Sequence, residues 1–122
     1  MKPKYDLEER TAKFGEKIIF FCKTLPQDSI SKPLISQLIK SSTSIGANYM
    51  EANNASSRKD FQNKIFISKK ESQETKHWLR MLKTCFPNRK GELEILWKEA
   101  HELTMIFQKV ISSLRNSMKI VT

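Results

Sequence analysis

The chain of 122 residues has the length of one domain, and its 39% hydrophobic content, with seven Phe and two Trp, suffices for a packed core and argues against disorder. Three Gly and four Pro leave long stretches without a breaker, and no stretch alternates apolar and polar residues as a half-buried strand does, so an all-α protein is expected. No apolar run approaches the roughly 20 residues of a membrane span, the first residues lead into charged ones instead of a signal-peptide core, and a formal net charge of +9 favours polyanionic partners.

The first helix is predicted over about 7–24, where Leu7, Thr11, Phe14, Ile18, Phe21 and Leu25 recur at steps of four and three, the seam of a bundle helix. Ile19 and Phe20 overshoot that seam. Leu25-Pro26-Gln27-Asp28-Ser29 is a turn, because the residue before proline is pushed out of the helical region, and Asp28, Ser29 and Ser31 are all able to cap the next helix.

The second helix, about 32–54, has Pro33 in its first turn and only two charges after Lys32, Lys40 and Glu51. Leu34, Leu38, Ser41, Ile45, Asn48 and Ala52 form its seam. Ile39, Thr43, Gly46 and Met50 form a second apolar or small stripe on a side that a surface helix gives to Lys and Glu. A helix apolar nearly all round is buried on more than one side, so this stripe, with Ile19 and Phe20, is expected to face another subunit. The run of Ser, Thr, Gly and Ala from Ser41 to Ala47 is poor in helix propensity, and close helix approach is the expected compensation.

Asn53 to Ser57 breaks the chain, with Ser56 or Ser57 as cap and Asp60 in the next first turn. The third helix, about 58–85, repeats Phe61, Ile65, Ser68, Ser72, Thr75, Leu79 and Leu82. After the turn Phe86 to Gly91, the fourth, about 92–118, repeats Leu93, Leu96, Ala100, Leu103, Phe107, Val110 and Leu114. Short connections favour antiparallel neighbours, so the predicted architecture is a single up-down-up-down four-helix bundle spanning the chain. Cys22 and Cys85 have no Cys or His neighbour at metal spacing; both are read as reduced thiols in a cytoplasmic protein, with no metal and no cofactor.

Leu25-Pro26, Gln37-Leu38, the stretch Ser44-Ile45-Gly46-Ala47-Asn48-Tyr49-Met50-Glu51-Ala52 and the stretch from Lys70 through Glu71, Glu74, Thr75 and Trp78 to Leu79 together resemble the four-helix-bundle proteins encoded in intervening sequences of bacterial 23S ribosomal RNA genes. The resemblance covers nearly the whole chain. It departs where the family usually has Gly soon after the Glu of the second helix; Asn53 and Asn54 stand there, residues that a left-handed cap tolerates. The resemblance implies a homo-oligomeric ring of five subunits, relatives that include the accessory protein of diversity-generating retroelements, which works with a reverse transcriptase and RNA, and no enzymatic activity.

Between Arg58 and Lys90 ten Lys or Arg stand against three acids, +7 of the total +9. Lys69, Lys76 and Lys83 are seven apart beside the seam, and Arg58, Lys59, Lys70 and Arg80 extend the basic surface, which is expected to bind RNA or a ribonucleoprotein through its phosphates. A solvated face on a purely structural or protein-interaction assembly module is the competing reading. Ser44, Asn48, Glu51, Glu71 and Glu74 are expected to form a polar network fixing register between the second and third helices. Catalysis by these carboxylates is disfavoured, since no metal-ligating His accompanies them and the Glu-x-x-His pairs of di-metal bundles are missing. His77 and His101 are read as surface residues. Trp78, Phe66, Met81 and Trp97 lie off the seams and serve packing, a subunit contact or base stacking, of which subunit contact is preferred. No membrane and no small-molecule substrate are expected.

Overall fold

The protein is described here by a computed structural model over residues 6–121, with side chains through Asn116; the expectation about a signal peptide falls on Met1 to Tyr5, which lie outside the described residues. Four α-helices follow in order: α1 (Leu7–Lys23), α2 (Ser31–Asn53), α3 (Arg58–Cys85) and α4 (Lys90–Val121), with a 3-10 turn at Pro87–Arg89 and no strand among the described residues. Each helix packs on the next, α1 on α2, α2 on α3 and α3 on α4, while α1 and α4 approach each other sparsely.

Local chemistry sets the ends. Asp6 caps α1, its carboxylate accepting from the Glu9 N–H at 3.0 Å, with Glu8 and Glu9 in the positive first turn. In the next turn Asp28 accepts from the N–H groups of Ile30 (2.9 Å) and Ser31 (2.8 Å), and Ser31 Oγ accepts in return from the Asp28 N–H at 3.1 Å, a reciprocal cap. The Ser31 amide chiefly holds the Asp28 carboxyl below its usual range.

α2 ends without the left-handed residue that Asn53 and Asn54 suggested. Asn54 sits at φ −108°, and no described non-glycine residue has positive φ. Its side-chain amide donates to the Met50 carbonyl at 2.9 Å, so the free carbonyl is satisfied without a left-handed turn. Ser57 caps α3 by accepting from the Asp60 N–H at 3.0 Å. Gly91, expected in the turn, instead lies within the first turn of α4. Arg89 fastens this corner, pairing with Glu92, donating to Thr24 Oγ1 at 2.8 Å and lying 4.8 Å from the Phe21 ring centre.

Phe14 and Ile18 of α1, Leu38 and Ile45 of α2, Ile65, Leu79 and Leu82 of α3, and Leu93, Leu103, Phe107 and Ile111 of α4 are buried together. Ile111 takes the deep position that the heptad reading gave to Val110, which is half-buried. Burial pushes the Cys22 thiol up to about 11, and both Cys22 and Cys85 are free.

The second stripe of α2 is covered in part from within the chain. A Cβ on Gly46 would stand 3.0 Å from Thr11 Oγ1 and 3.3 Å from Thr11 Cβ, and one on Gly15 would touch Thr43 at 3.6 Å. The small residues therefore let α1 and α2 approach closely, and the bare surface of Gly46 is taken up by α1. Ile39 is half-buried against the core, while Thr43 and Met50 stay exposed. At the other edge of α1, Arg10 grips Glu99 of α4 in a two-pronged pair at 2.9 and 2.7 Å and reaches Glu102 at 2.8 Å.

A candidate nucleic-acid interface

One row of α3 points outward along its whole length. Lys59, Asn63, Phe66, Lys70, Gln73, His77, Arg80 and Thr84 alternate steps of four and three, every one is exposed, and none is acidic. The acids of α3 stand elsewhere. Asp60 is in the capping turn, and Glu71 and Glu74 are half-buried off this row. Among the described residues Lys59, Lys70 and Arg80 have no carboxylate within ion-pair distance, and neither does Arg58, also exposed, at the start of the helix.

Lys69, Lys76 and Lys83 lie on the flank toward α4 and all three are half-buried. Lys69 donates to Gln108, Lys76 Nζ lies 3.1 Å from His101 Nδ1, and Lys83 stands 3.8 Å from Glu94. An ammonium group only donates, so Nδ1 of His101 is the acceptor in this contact. The first two lysines thus keep uncompensated charge while bracing α3 against α4. His101 in turn stacks on Trp97 (5.1 Å between ring centres, 9° between planes), with Lys76 Nζ 5.3 Å from the indole centre. His77 is exposed beside Trp78, 4.9 Å away edge-on.

The residues expected to form one polar network are placed apart. The Asn48 amide, half-buried, donates to the Ser44 carbonyl of its own helix at 2.8 Å, and Ser44 Oγ donates to the Lys40 carbonyl. Glu51 pairs with Lys64 at 3.0 Å. Neither Glu71 nor Glu74 hydrogen-bonds to Asn48 or Ser44 among the described contacts; burial, followed by repulsion from Glu74, pushes the Glu71 carboxyl up. A helical Asn reaches its own i−4 carbonyl more readily than a carboxylate on a neighbouring helix, and this local bond satisfies it.

The polar links that do cross the core are hydroxyls. Ser41 and Thr75 meet at 2.9 Å, Ser68 Oγ donates to the Ile45 carbonyl at 3.1 Å, and Ser72 and Thr104 meet at 2.8 Å. All five side chains are buried, and no buried side-chain polar atom among the described residues lacks a partner. Ser41, Ser68, Ser72 and Thr75 were visible as seam positions; Thr104 was hidden beside Leu103.

Of the residues expected at a subunit contact, Ile19 (37%), Phe20 (67%) and Met50 (47%) are exposed. With Thr43 and Gly46, Ile19 and Met50 border an open groove of about 380 Å³ between α1 and α2. No group of His, Cys, Asp or Glu among the described residues is arranged to hold a metal ion, and no helix among them is long and apolar enough to cross a membrane.

Sequential helix packing, a hydroxyl-linked core and an acid-free basic row define a small all-α bundle protein of basic surface. The model of the 23S rRNA-intervening sequence protein family matches residues 4–109, and the chain belongs to that family. The chain is also similar to a protein of unknown function from the S23 ribosomal protein family of Bacteroides thetaiotaomicron VPI-5482. That crystal structure, at 1.70 Å resolution, superposes with a TM-score of 0.78 at 31% identity, covering 85% of this chain and 96% of that one. Comparison with curated proteins finds no match.

Proposed function

We propose that the protein is a non-enzymatic, cytoplasmic, homo-oligomeric antiparallel four-helix bundle that engages RNA or a ribonucleoprotein through the outward row of α3. The observation that carries this reading is the acid-free exposed row containing Lys59, Lys70 and Arg80, flanked by Lys69, Lys76 and Lys83. Cations concentrated on one helix face bind a polyanion by releasing its condensed counterions, a gain that grows with each phosphate neutralised. The antiparallel topology rests on the order of the cross-helix pairs: Glu51 with Lys64, Ile45 with Ser68, Ser41 with Thr75, then Ser72 with Thr104 and Lys83 with Glu94. Free thiols at Cys22 and Cys85 fit a reducing cytoplasm.

The test replaces Lys59, Lys70 and Arg80 by Gln, which removes three unpaired surface charges without breaking a described hydrogen bond or ion pair to α4. Affinity for a structured RNA should fall, and the slope of log affinity against log salt should shrink by roughly 0.7–0.9 per lost phosphate contact. Replacing Lys69, Lys76 and Lys83 is a less clean test, because it also removes braces between α3 and α4. Wild-type protein that binds no RNA at about 50 mM salt would leave the assembly-module reading, which the exposed Ile19, Phe20 and Met50 favour.

A further inference from the structure

An open cavity of about 510 Å³ lies between α3 and α4, lined by Arg80, Lys83, Leu93, Glu94, Trp97 and Lys98. Its size falls in the usual range of small-ligand sites, about 300–1,000 Å³. Three of its six side chains are cations. Its single carboxylate, Glu94, is already shared between Lys83 at 3.8 Å and Lys90 at 3.9 Å. The remaining feature is an indole that packing does not explain: Trp97 is 38% exposed, while Leu93, Leu96 and Ala100 around it fill the core.

Trp97 is nevertheless held. His101 stacks on it and Lys76 stands over it, yet neither lines the cavity, so the cavity opens on the part of the indole these two leave uncovered. A rigid aromatic plane bordered by cations suits a ligand that is itself flat on one part and anionic on another. Inorganic phosphate has no use for the indole, and an uncharged aromatic has none for Arg80, Lys83 and Lys98. Arg80 also belongs to the outward row of α3, so a strand following that row arrives at the cavity.

We propose that this cavity is a stacking subsite for an unpaired nucleobase of single-stranded RNA, Trp97 taking the base and Arg80, Lys83 and Lys98 the adjoining phosphates. The inference rests on the RNA-binding reading and adds a preference for single strands, since a base inside a duplex is already stacked on both faces.

With Trp78→Phe as background, Trp97 is the one remaining tryptophan. Titration with an oligouridylate of about 12 nucleotides, a length within the range of single-strand sites, should quench its fluorescence. Trp97→Leu should weaken single-strand binding roughly 5- to 150-fold, the usual loss for one stacking aromatic, with the salt slope unchanged. Trp97→Phe should recover part of the loss, and duplex RNA of equal length should bind both variants as it binds wild type. Unquenched fluorescence on saturation, or wild-type single-strand affinity in Trp97→Leu, overturns the subsite and leaves a surface that reads phosphates alone. Absence of all RNA binding by the wild type overturns the subsite together with the reading beneath it.

Discussion

Single side chains in this bundle are satisfied by the nearest partner, and the hydroxyl links show how much that matters. Thr75 Oγ1 lies 2.8 Å from the Glu71 carbonyl and 2.9 Å from Ser41 Oγ, fully buried. Thr75→Val keeps the shape but strips Ser41 of its cross-helix partner, and should cost about 1 kcal/mol in urea unfolding. Combining it with Ser41→Ala should recover part of that, because removing both partners leaves no orphan; a double variant whose loss equals the sum of the two single losses would mean the pair contributes nothing. Glu71 runs the other way. Its pKa is raised by burial and by Glu74, so the folded state holds its proton more tightly than the unfolded state does, and the charged form opposes folding at neutral pH. Glu71→Gln should raise the urea midpoint at pH 7, and the advantage should vanish below about pH 4, where the carboxyl is protonated in both states. A midpoint that falls at pH 7 would show that Glu71 is favourably engaged.

At the scale of elements, α1 is the helix with the least support. It meets α2 through the close approach at Gly46 and Gly15, and it meets α4 chiefly through Arg10 and its carboxylates. Hydrogen bonding from Arg10 holds the Glu99 carboxyl low, so this tie contributes above the ordinary glutamate range and is lost as pH falls through the depressed value. Gly46→Leu places a branched side chain where a Cβ alone already crowds Thr11. It should destabilise the protein by about 1–3 kcal/mol, the range for overpacking, and speed hydrogen exchange in α1 before the rest of the chain. Unchanged exchange in α1 would show that Thr11 can move aside at no cost.

For the whole molecule, the basic row and the apolar residues expected at a subunit contact lie on different helices. Cations gather on α3, whereas Phe20, Ile19 and Met50 expose apolar surface on α1 and α2. The proposed assembly through the second face would leave the first free for a polyanion, and a closed ring would multiply the basic row by the number of subunits. Phe20→Glu should dissociate the oligomer at micromolar concentration while leaving far-ultraviolet helicity intact, because Phe20 is 67% exposed in the single chain and contributes little to its core. Sedimentation equilibrium checks this: wild type should exceed the 14.2 kDa of one chain and the variant should match it. A wild-type species of 14.2 kDa would end the assembly proposal.

What the sequence determined by itself is what depends on neighbours a few residues away. The four-and-three spacing of Phe14, Ile18 and Phe21, or of Ile65, Ser68 and Ser72, marks a buried helix face, since helical geometry alone stacks those residues. A serine cap at Ser56 or Ser57, which the structure places at Ser57, and the break at Phe86-Pro87 were legible for the same reason, and so was the concentration of Lys and Arg after Ser57. Which neighbour covers a given face is settled by contacts between residues far apart in the chain. Steps of seven placed Lys69, Lys76 and Lys83 on one flank, but only packing turned that flank toward Gln108, His101 and Glu94 and left Lys59, Lys70 and Arg80 outside. Small size at Gly46 announced a close approach, and only the placement of α1 gave the approach to Thr11. The indole of Trp97 reads as one more aromatic beside a seam until α3 carries Lys76 across to His101; spacing along one helix contains no information about the helix that packs against it.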